Sequence, residues 1–212
     1  MTSDPVELVK QSIPDLLNGA FAEVREKANA GDAEAKKKVE ELQQAAPLAL
    51  RVVLEGKAKK ELFIVFEKGE LRTVESAPNV PVLFAVAVGF EEFEVALGDL
   101  SEELARGFAR LKKRMLTLSP ARWRAGIERV AKENLHFHYV VKDTPDFDEV
   151  RVKIALGGKE PPEKPTFTVT VDHDVIEQLR AKKLKPQNLL SKIQLSGDSA
   201  RAMQLVMGLM TR

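Results

Sequence analysis

The stretch Phe84-Ala-Val-Ala-Val88 returns later in the chain as Phe167-Thr-Val-Thr-Val171. Both copies have the side-chain pattern of a buried β-strand, both follow a proline, and both lead into a short amphipathic segment that predicts a helix. Three further matches follow in the same order: strand 48–54 with 135–141, strand 61–66 with 149–154, and strand plus helix 110–130 with 191–209. Four matches in one order predict a duplicated α+β unit.

The duplication divides the chain into three parts. Residues 48–134 are predicted to form the first unit and residues 135–212 the second. Residues 1–47 have a helical pattern, because apolar residues recur from Val6 onward at three- and four-residue spacing. Asp32 is expected to cap the second of these helices, since its side chain can accept a hydrogen bond from the first turn. We expect the N-terminal helices to pack on the first unit.

The composition excludes several classes of protein. Of the 212 residues, 44% are hydrophobic, which is enough for a buried core. The net charge of +1 gives no support for a nucleic-acid partner, and the absence of cysteine excludes disulfides, thiolate metal sites and a cysteine nucleophile. The longest apolar stretch, residues 80–90, is too short to span a bilayer. Because the N-terminus lacks the pattern of a signal peptide, we expect a cytoplasmic protein.

The strongest resemblance to a known family lies near the C-terminus, in Lys182-Lys-Leu-Lys-Pro-Gln-Asn-Leu-Leu-Ser-Lys-Ile-Gln-Leu-Ser-Gly-Asp-Ser-Ala-Arg-Ala-Met-Gln-Leu205. Its order of a short helix, a strand that begins at Lys192, a glycine-aspartate turn and a final helix resembles the sterol carrier protein type two family. With the strands before it, the resemblance covers roughly residues 135–212, and the first unit is a divergent copy. The matching residues are Leu184, Pro186, Gln187, Lys192, Ile193, Leu195, Gly197, Asp198, Ala202, Met203 and Leu205.

This resemblance implies a lipid carrier. Each unit would be a curved, mostly antiparallel five-stranded sheet, covered on one face by helices, with an apolar tunnel between sheet and helices. The implied function is the non-enzymatic binding, and by extension the transfer, of fatty acids, acyl esters or sterol-like molecules. Burying a twelve-carbon chain yields on the order of 10 kcal/mol at about 0.8 kcal/mol per methylene, so such binding is thermodynamically plausible.

The expected ligand-lining residues are apolar side chains of the predicted strands and helices. In the second unit they are Phe167, Val169, Ile176, Leu179, Leu189, Leu190, Met203, Val206 and Met210. In the first unit they are Phe84, Phe93, Leu97, Phe108, Met115 and Trp123. The segment 199–210 is apolar over most of its circumference, so it must either be buried or line something apolar. Filling of an ordinary core is the alternative for all of these residues.

Two other functions remain open at this point. The first is a structural or protein-interaction module in which side chains fill both cores. The second is a small hydrolase or isomerase subunit that uses His136 and His138, whose two-residue spacing on a strand places both on one face, a spacing that a metal site can use. Ordinary strand histidines would show the same spacing. The acidic residues beside His173 stand at a predicted helix start, where carboxylates serve as caps.

No phosphate-binding loop, dinucleotide fingerprint or nucleophile elbow occurs in the sequence. We therefore expect no catalytic activity, no metal and no cofactor. The expected partner is a hydrophobic small molecule, and the oligomeric state is left open. The basic residues are typical of a solvated surface. The alternative is that some of them, among them Lys182, Lys183 and Lys185, make a transient contact with anionic lipid head groups during ligand exchange.

Overall fold

The computed structural model describes residues 4–56, 58–77, 79–93, 125, 132, 135–157, 160–184 and 186–210. The N-terminal part is helical. Helix α1 (Pro5–Glu7) continues through a π-helical turn (Leu8–Ser12) into helix α2 (Ile13–Asn29). The wider turn directly precedes Pro14, which has no N–H group to donate to the preceding turn. The helices in the described part of the chain are too short or too polar to span a bilayer.

Helix α3 (Ala33–Gln44) begins as the sequence predicts. The chain turns at Gly31, whose φ of 99° favours glycine, and the Asp32 carboxylate then accepts a hydrogen bond from the Ala35 N–H at 3.0 Å. The predicted N-cap is confirmed. Helices α2 and α3 pack against each other through a cluster of small and apolar side chains. The cluster contains Ala20, Phe21, Val24, Ala28, Ala35 and Leu42.

The fold is α+β, and eight strands of the described residues form one mixed sheet. They are β1 (Leu48–Glu55), β2 (Lys60–Glu67), β3 (Glu70–Val74), β4 (Val82–Gly89), β5 (His136–Lys142), β6 (Glu149–Leu156), β7 (Phe167–Asp172) and β8 (Gln194–Gly197). Their order across the sheet is β3-β2-β1-β4-β6-β5-β7-β8, and five of the seven neighbouring pairs are antiparallel. The described residues of the second half also form three helices: α4 (His173–Arg180) and α5 (Pro186–Leu189) between β7 and β8, and α6 (Ser199–Met210) after β8.

The two halves of the sheet have the same strand arrangement. In the first half β2 lies antiparallel to one side of β1, and β4 lies parallel to its other side. In the second half β6 and β7 occupy the same positions around β5. The residue pairing is also equivalent in the two halves. Leu50 lies beside Phe84 in the first half, and Phe137 lies beside Phe167 at the corresponding positions of the second half.

The expectation of two separate sheets differs from the structure, because the halves join where β4 pairs with β6. Val86 lies opposite Ile154 in this antiparallel pair. An unpaired strand leaves a row of backbone N–H and C=O groups unsatisfied, and pairing the two neighbouring strands removes two such edges at once. Each half contributes four strands in the described residues, where five were expected. The predicted strand 110–118 of the first half lies outside the described residues.

Asn18 covers part of the outer edge of the sheet, at Leu71 of β3. Its side-chain amide donates to the Leu71 carbonyl at 2.8 Å and accepts from the Leu71 N–H at 2.8 Å. The Thr73 hydroxyl also donates to the carbonyl of Val9 at 2.8 Å. The amide of Asn18 therefore makes the two hydrogen bonds that a further strand would make with this residue.

We expect Asn18→Ala to lower the free energy of unfolding by about 1–3 kcal/mol, because two partly buried backbone groups of Leu71 lose their partners. Urea denaturation measures the change. The matched control is Glu26→Ala, an exposed position on the same helix, which is expected to change stability by less than about 0.5 kcal/mol. Equal stability of the two variants would show that water replaces the amide without loss.

Candidate functional site

An apolar surface crosses the three middle strands of the sheet, on the face that carries the helices. Register pairing places Val86, Ile154 and Phe137 side by side across β4, β6 and β5. Together with their neighbours on the same face they form a set of seven half-buried side chains, which we call the central strip. The central strip consists of Phe84, Val86, Phe137, Tyr139, Val152, Ile154 and Leu156.

Buried clusters border the strip on both sides. Toward β1, Val52 and Leu54 are buried beneath Val9 of the π-helical turn. Toward β7, Phe167 and Val169 are buried in a cluster with Ala202 of α6. The strip therefore lies between the N-terminal helices and the C-terminal helices.

A third border closes one end of the strip. Val141 and Val150 face each other on β5 and β6, one step beyond Tyr139, and both are buried in a cluster with Val175 of α4. At the other end, Phe84 pairs with Leu156, and both remain half-buried. In the described residues, the strip is thus an apolar surface that is bordered by packed side chains on three sides.

The opposite face of the same strands is mostly buried, which makes the half-burial of the strip informative. Small side chains dominate that face on β4. The buried residues there are Leu83, Ala85, Ala87, His138, Val140, Lys153 and Ala155. The apolar face of the sheet is thus half-accessible at the centre, where neighbouring strands shield it most. Such a surface is suited to an apolar ligand or partner.

The side chains of the strip are almost all hydrocarbon. On the helical face of β1 and of β4 to β7, the phenol of Tyr139 is the one hydrogen-bonding side chain. Arg151 and Lys153 alternate with the strip residues of β6, so their charges lie on the opposite face. No ionisable carboxylate, amine or imidazole of these strands reaches the strip.

The sequence-predicted site residues fall into different surroundings. Phe84 belongs to the strip. Phe167 and Val169 lie beside it in a filled cluster, where the Phe167 ring stacks on Phe137 with centroids 5.1 Å apart and planes 6° from parallel. Of the other predicted residues, Ile176 and Leu189 are half-buried against the cluster that contains Val175. Phe93 is half-buried against the cluster that contains Leu54. Leu179 and Leu190 are half-buried near the ends of α4 and α5.

Met203 does not face the interior, contrary to the sequence expectation. Its side chain is 42% exposed, whereas the neighbouring Ala202 is fully buried against Phe167 and Val169. The small alanine lets α6 approach the sheet closely, and this contact fixes which side of an almost entirely apolar helix is buried. The side chains of Val206 and Met210 lie outside the described residues, as do Leu97, Phe108, Met115 and Trp123.

Sequence reasoning missed six residues of the strip, all except Phe84. The alternation of Val150, Val152, Ile154 and Leu156 with charged or small residues was a usable signal, because it marks one face of β6 as apolar. The prediction nevertheless placed the ligand inside each unit. The strip lies across the junction of the units, and only the β4–β6 pairing reveals it.

The opposite face carries a polar cluster around Lys153. The Lys153 ammonium contacts Glu163 at 2.7 Å and Glu55 at 3.1 Å. Burial opposes its charge, but the hydrogen bonds to the two carboxylates outweigh that effect and raise the pKa of Lys153. His138 is buried beside it with Nε2 3.2 Å from the carbonyl oxygen of Pro162, and burial lowers its pKa.

This cluster ties the segment 160–163 to both halves of the sheet. Arg51 on β1 contacts Glu61 at 2.7 Å and Glu160 at 3.8 Å, and Lys59 also pairs with Glu160. His136 and His138 lie on one face of β5, as the spacing predicts. Among the described residues, however, no group of three metal-ligating side chains occurs.

One small cleft lies between helices and sheet in the described part of the chain. This cleft, between α2, α3 and the β2–β3 turn and lined by Phe21, Arg25, Leu42 and Gly69, has about 10 Å³ of free space. That volume holds about one water molecule and no lipid. The strip is therefore a better candidate for an apolar ligand than this cleft.

The sequence matches no protein-family model, and no curated protein matches it. Among solved structures, the chain is similar to the solution structure of the sterol carrier protein domain 2 of Helicoverpa armigera. The two share 22% sequence identity with a TM-score of 0.27, over 40% of this chain and 76% of the other. A TM-score of this size does not establish a common fold.

Proposed function

We propose that this chain is a non-enzymatic binding protein for hydrophobic ligands such as fatty acids, acyl esters or sterol-like lipids, and that it holds them on the central strip. The observation that carries the proposal is the half-burial of seven apolar or aromatic side chains at the centre of the sheet. The clusters on both sides of the strip are packed with their own side chains. A ligand on the strip would lie between the two groups of helices.

We also propose that the chain is built from two tandem sterol-carrier-like units, residues 48–134 and 135–212. The identical placement of β2 and β4 around β1 and of β6 and β7 around β5 supports this division. The residues from Lys182 to Leu205 that resemble the family support it from the sequence side. In this proposal the N-terminal helices cover the first unit, where Val9 packs against Leu54 and Leu62.

Binding on the strip is energetically sufficient. Transfer of a twelve-carbon chain from water yields on the order of 10 kcal/mol, and association costs at least about 4 kcal/mol. The remainder of about 6 kcal/mol corresponds to a dissociation constant in the range of tens of micromolar. A ligand that stays partly in water binds more weakly than this value.

The test is displacement of Nile red, an uncharged fluorescent apolar dye, by twelve-carbon alcohols and acids. We expect the variant Val86→Thr/Ile154→Thr to weaken dye and ligand binding at least tenfold, because each hydroxyl must be desolvated beneath the ligand. The control Val140→Thr introduces the same hydroxyl on the buried opposite face of β5, so it lowers stability without touching the strip. Absence of saturable binding, or equal loss in both variants, would refute the proposal.

A structural or protein-interaction module remains the second candidate. The filled clusters around Phe167 and Leu54 favour it, since both are nearly inaccessible to solvent. In that case a partner's apolar side chains would cover the strip. The same variant separates the two functions, because an interaction module would show no saturable binding of the dye or of free lipid.

A further inference from the structure

Strand β8 is the last strand in the order of the sheet, and within the described ranges it pairs on one side only, with β7. Beside the end of this pair, the Asp198 N–H donates to the Thr166 carbonyl at 3.0 Å. In an antiparallel pair, every second residue directs its N–H and C=O groups toward the same neighbour. Ser196 therefore also faces β7, whereas the N–H and C=O groups of Leu195 point to the outer side of β8.

The outer side of β8 is accessible to solvent. Gly197 is exposed, and because glycine has no side chain, the exposed surface is that of its backbone. Gln194 and Ser196 are also exposed, whereas Leu195 is half-buried against the cluster of β7 and α6. An accessible edge with outward-directed backbone groups is a template on which another strand can pair.

The charges at the two ends of β8 indicate which strand fits this edge. Lys192 precedes the strand and Asp198 follows it, both are exposed, and Leu195 lies midway between them. In an antiparallel pairing of two copies centred on Leu195, Lys192 of each copy lies opposite Asp198 of the other copy. Opposite charges in facing positions stabilise such a pair, whereas a parallel pairing in register would place like charges side by side.

The same register suits the backbone groups. It places Leu195 opposite Leu195 of the second copy and Ile193 opposite Gly197, which are the residues whose alternation directs N–H and C=O groups outward. Gln194 then lies opposite Ser196, so two uncharged polar side chains meet between the charged ends. Ile193 and Leu195 pack toward the cluster under α6, and the twofold axis is perpendicular to the sheet. The helices of both copies therefore lie on the same side of the joined sheet.

We propose that β8 is a docking edge for a second copy of this chain, and that two copies form a symmetric dimer through antiparallel β8–β8 pairing. Each copy uses the same edge for the contact, so the pair closes on itself. The dimer does not depend on the proposed binding of lipids, because the central strip lies on other strands.

Sedimentation equilibrium of the full-length protein, from about 1 µM to about 1 mM, tests the proposal. This range includes weak association, because a short strand buries less area than a standard interface. We expect the mass to approach that of two copies as the concentration rises. Lys192→Glu places two pairs of like charges in the contact, so it should raise the dissociation constant of the dimer at least tenfold. The control Lys36→Glu makes the same change in net charge on the exposed surface of α3 and should alter the constant less than twofold.

Hydrogen exchange resolved by residue locates the contact. The Leu195 N–H gains a partner only in the dimer, so we expect it to exchange at least fivefold more slowly at the highest concentration than at the lowest. The Ser196 N–H faces β7 in both states, and its exchange should not depend on concentration.

A protein that stays monomeric over the whole range, or that grows beyond two copies, would overturn the proposal. A dimer would also contradict it if Lys192→Glu had no greater effect than Lys36→Glu, or if exchange of the Leu195 N–H were independent of concentration, since the contact would then lie elsewhere.

Discussion

Replacing Phe167 with alanine is expected to lower the free energy of unfolding by about 3–5 kcal/mol. The side chain is 1% exposed and is among the largest fully buried ones in the described part of the chain. Its ring stacks on Phe137 and contacts the cluster that contains Leu135, Val169 and Ala202. Truncation removes these contacts and leaves a cavity that the rigid sheet and α6 cannot fill.

Urea denaturation followed by circular dichroism measures this loss, with Phe147→Ala as the control. Phe147 is half-buried in the loop before β6, so its truncation should cost clearly less. The comparison also bears on the role first assigned to Phe167. Truncating a side chain that lines an empty tunnel changes the stability of the ligand-free protein only slightly. A decrease in the free energy of unfolding below about 1 kcal/mol would therefore favour the tunnel over the filled cluster.

The second large effect is expected at Gly197, the last residue of β8. Its φ is +83°, and a Cβ atom there would lie 2.6 Å from the carbonyl oxygen of Thr166 and 3.0 Å from the Cα of Phe167. Neither neighbour can yield easily, because both are backbone atoms and the Thr166 carbonyl accepts the Asp198 N–H at 3.0 Å. Left-handed backbone costs a side-chain residue about 1–2 kcal/mol, and the clash costs about 1–3 kcal/mol more.

We therefore expect Gly197→Ala to destabilise the protein by about 2–5 kcal/mol and to speed hydrogen exchange in β8. Gly19→Ala is the matched control. Gly19 lies within α2 with no atom within 4 Å of the added Cβ, so alanine should stabilise the helix by up to about 1 kcal/mol. The two identical substitutions should thus shift the urea midpoint in opposite directions, and a shift in the same direction would contradict this account.

Local sequence signals were sufficient for most individual elements. The alternation in residues 48–54 and 61–66 predicts β1 and β2, and the turn at Lys68-Gly69 is confirmed by the positive φ of both residues. The Asp32 cap depends on residues within one turn of each other, so it too is local. Such features are encoded by neighbours in the chain and need no knowledge of the tertiary structure.

The joining of the halves could not be predicted in this way. Pairing of Val86 with Ile154 depends on which strand edges meet after both halves have formed, and an alternating pattern does not encode a partner. The strip exists only because of this pairing. Its membership was therefore missed, although Phe84 and the apolar alternation of β6 were both visible.

The orientation of α6 about its own axis was predicted wrongly for a different reason. Apolar residues surround most of this helix, so hydrophobic periodicity does not fix its orientation. Alanine and methionine are equally acceptable as inward-facing residues by that criterion. Close packing of Ala202 against Phe167 sets which side of α6 faces the sheet, and this contact depends on the distance between helix and sheet.

Asn18 has a consequence for how copies of this chain can associate. Fibrils that grow by adding strands need a donor edge and an acceptor edge on every molecule, since each new copy must extend the stack for the next. The N–H and C=O of Leu71 are already bonded to the Asn18 amide, so an incoming strand must displace that side chain before it can pair with β3 at this position. Addition of a strand there is therefore less favourable than at an edge whose backbone groups are unpaired.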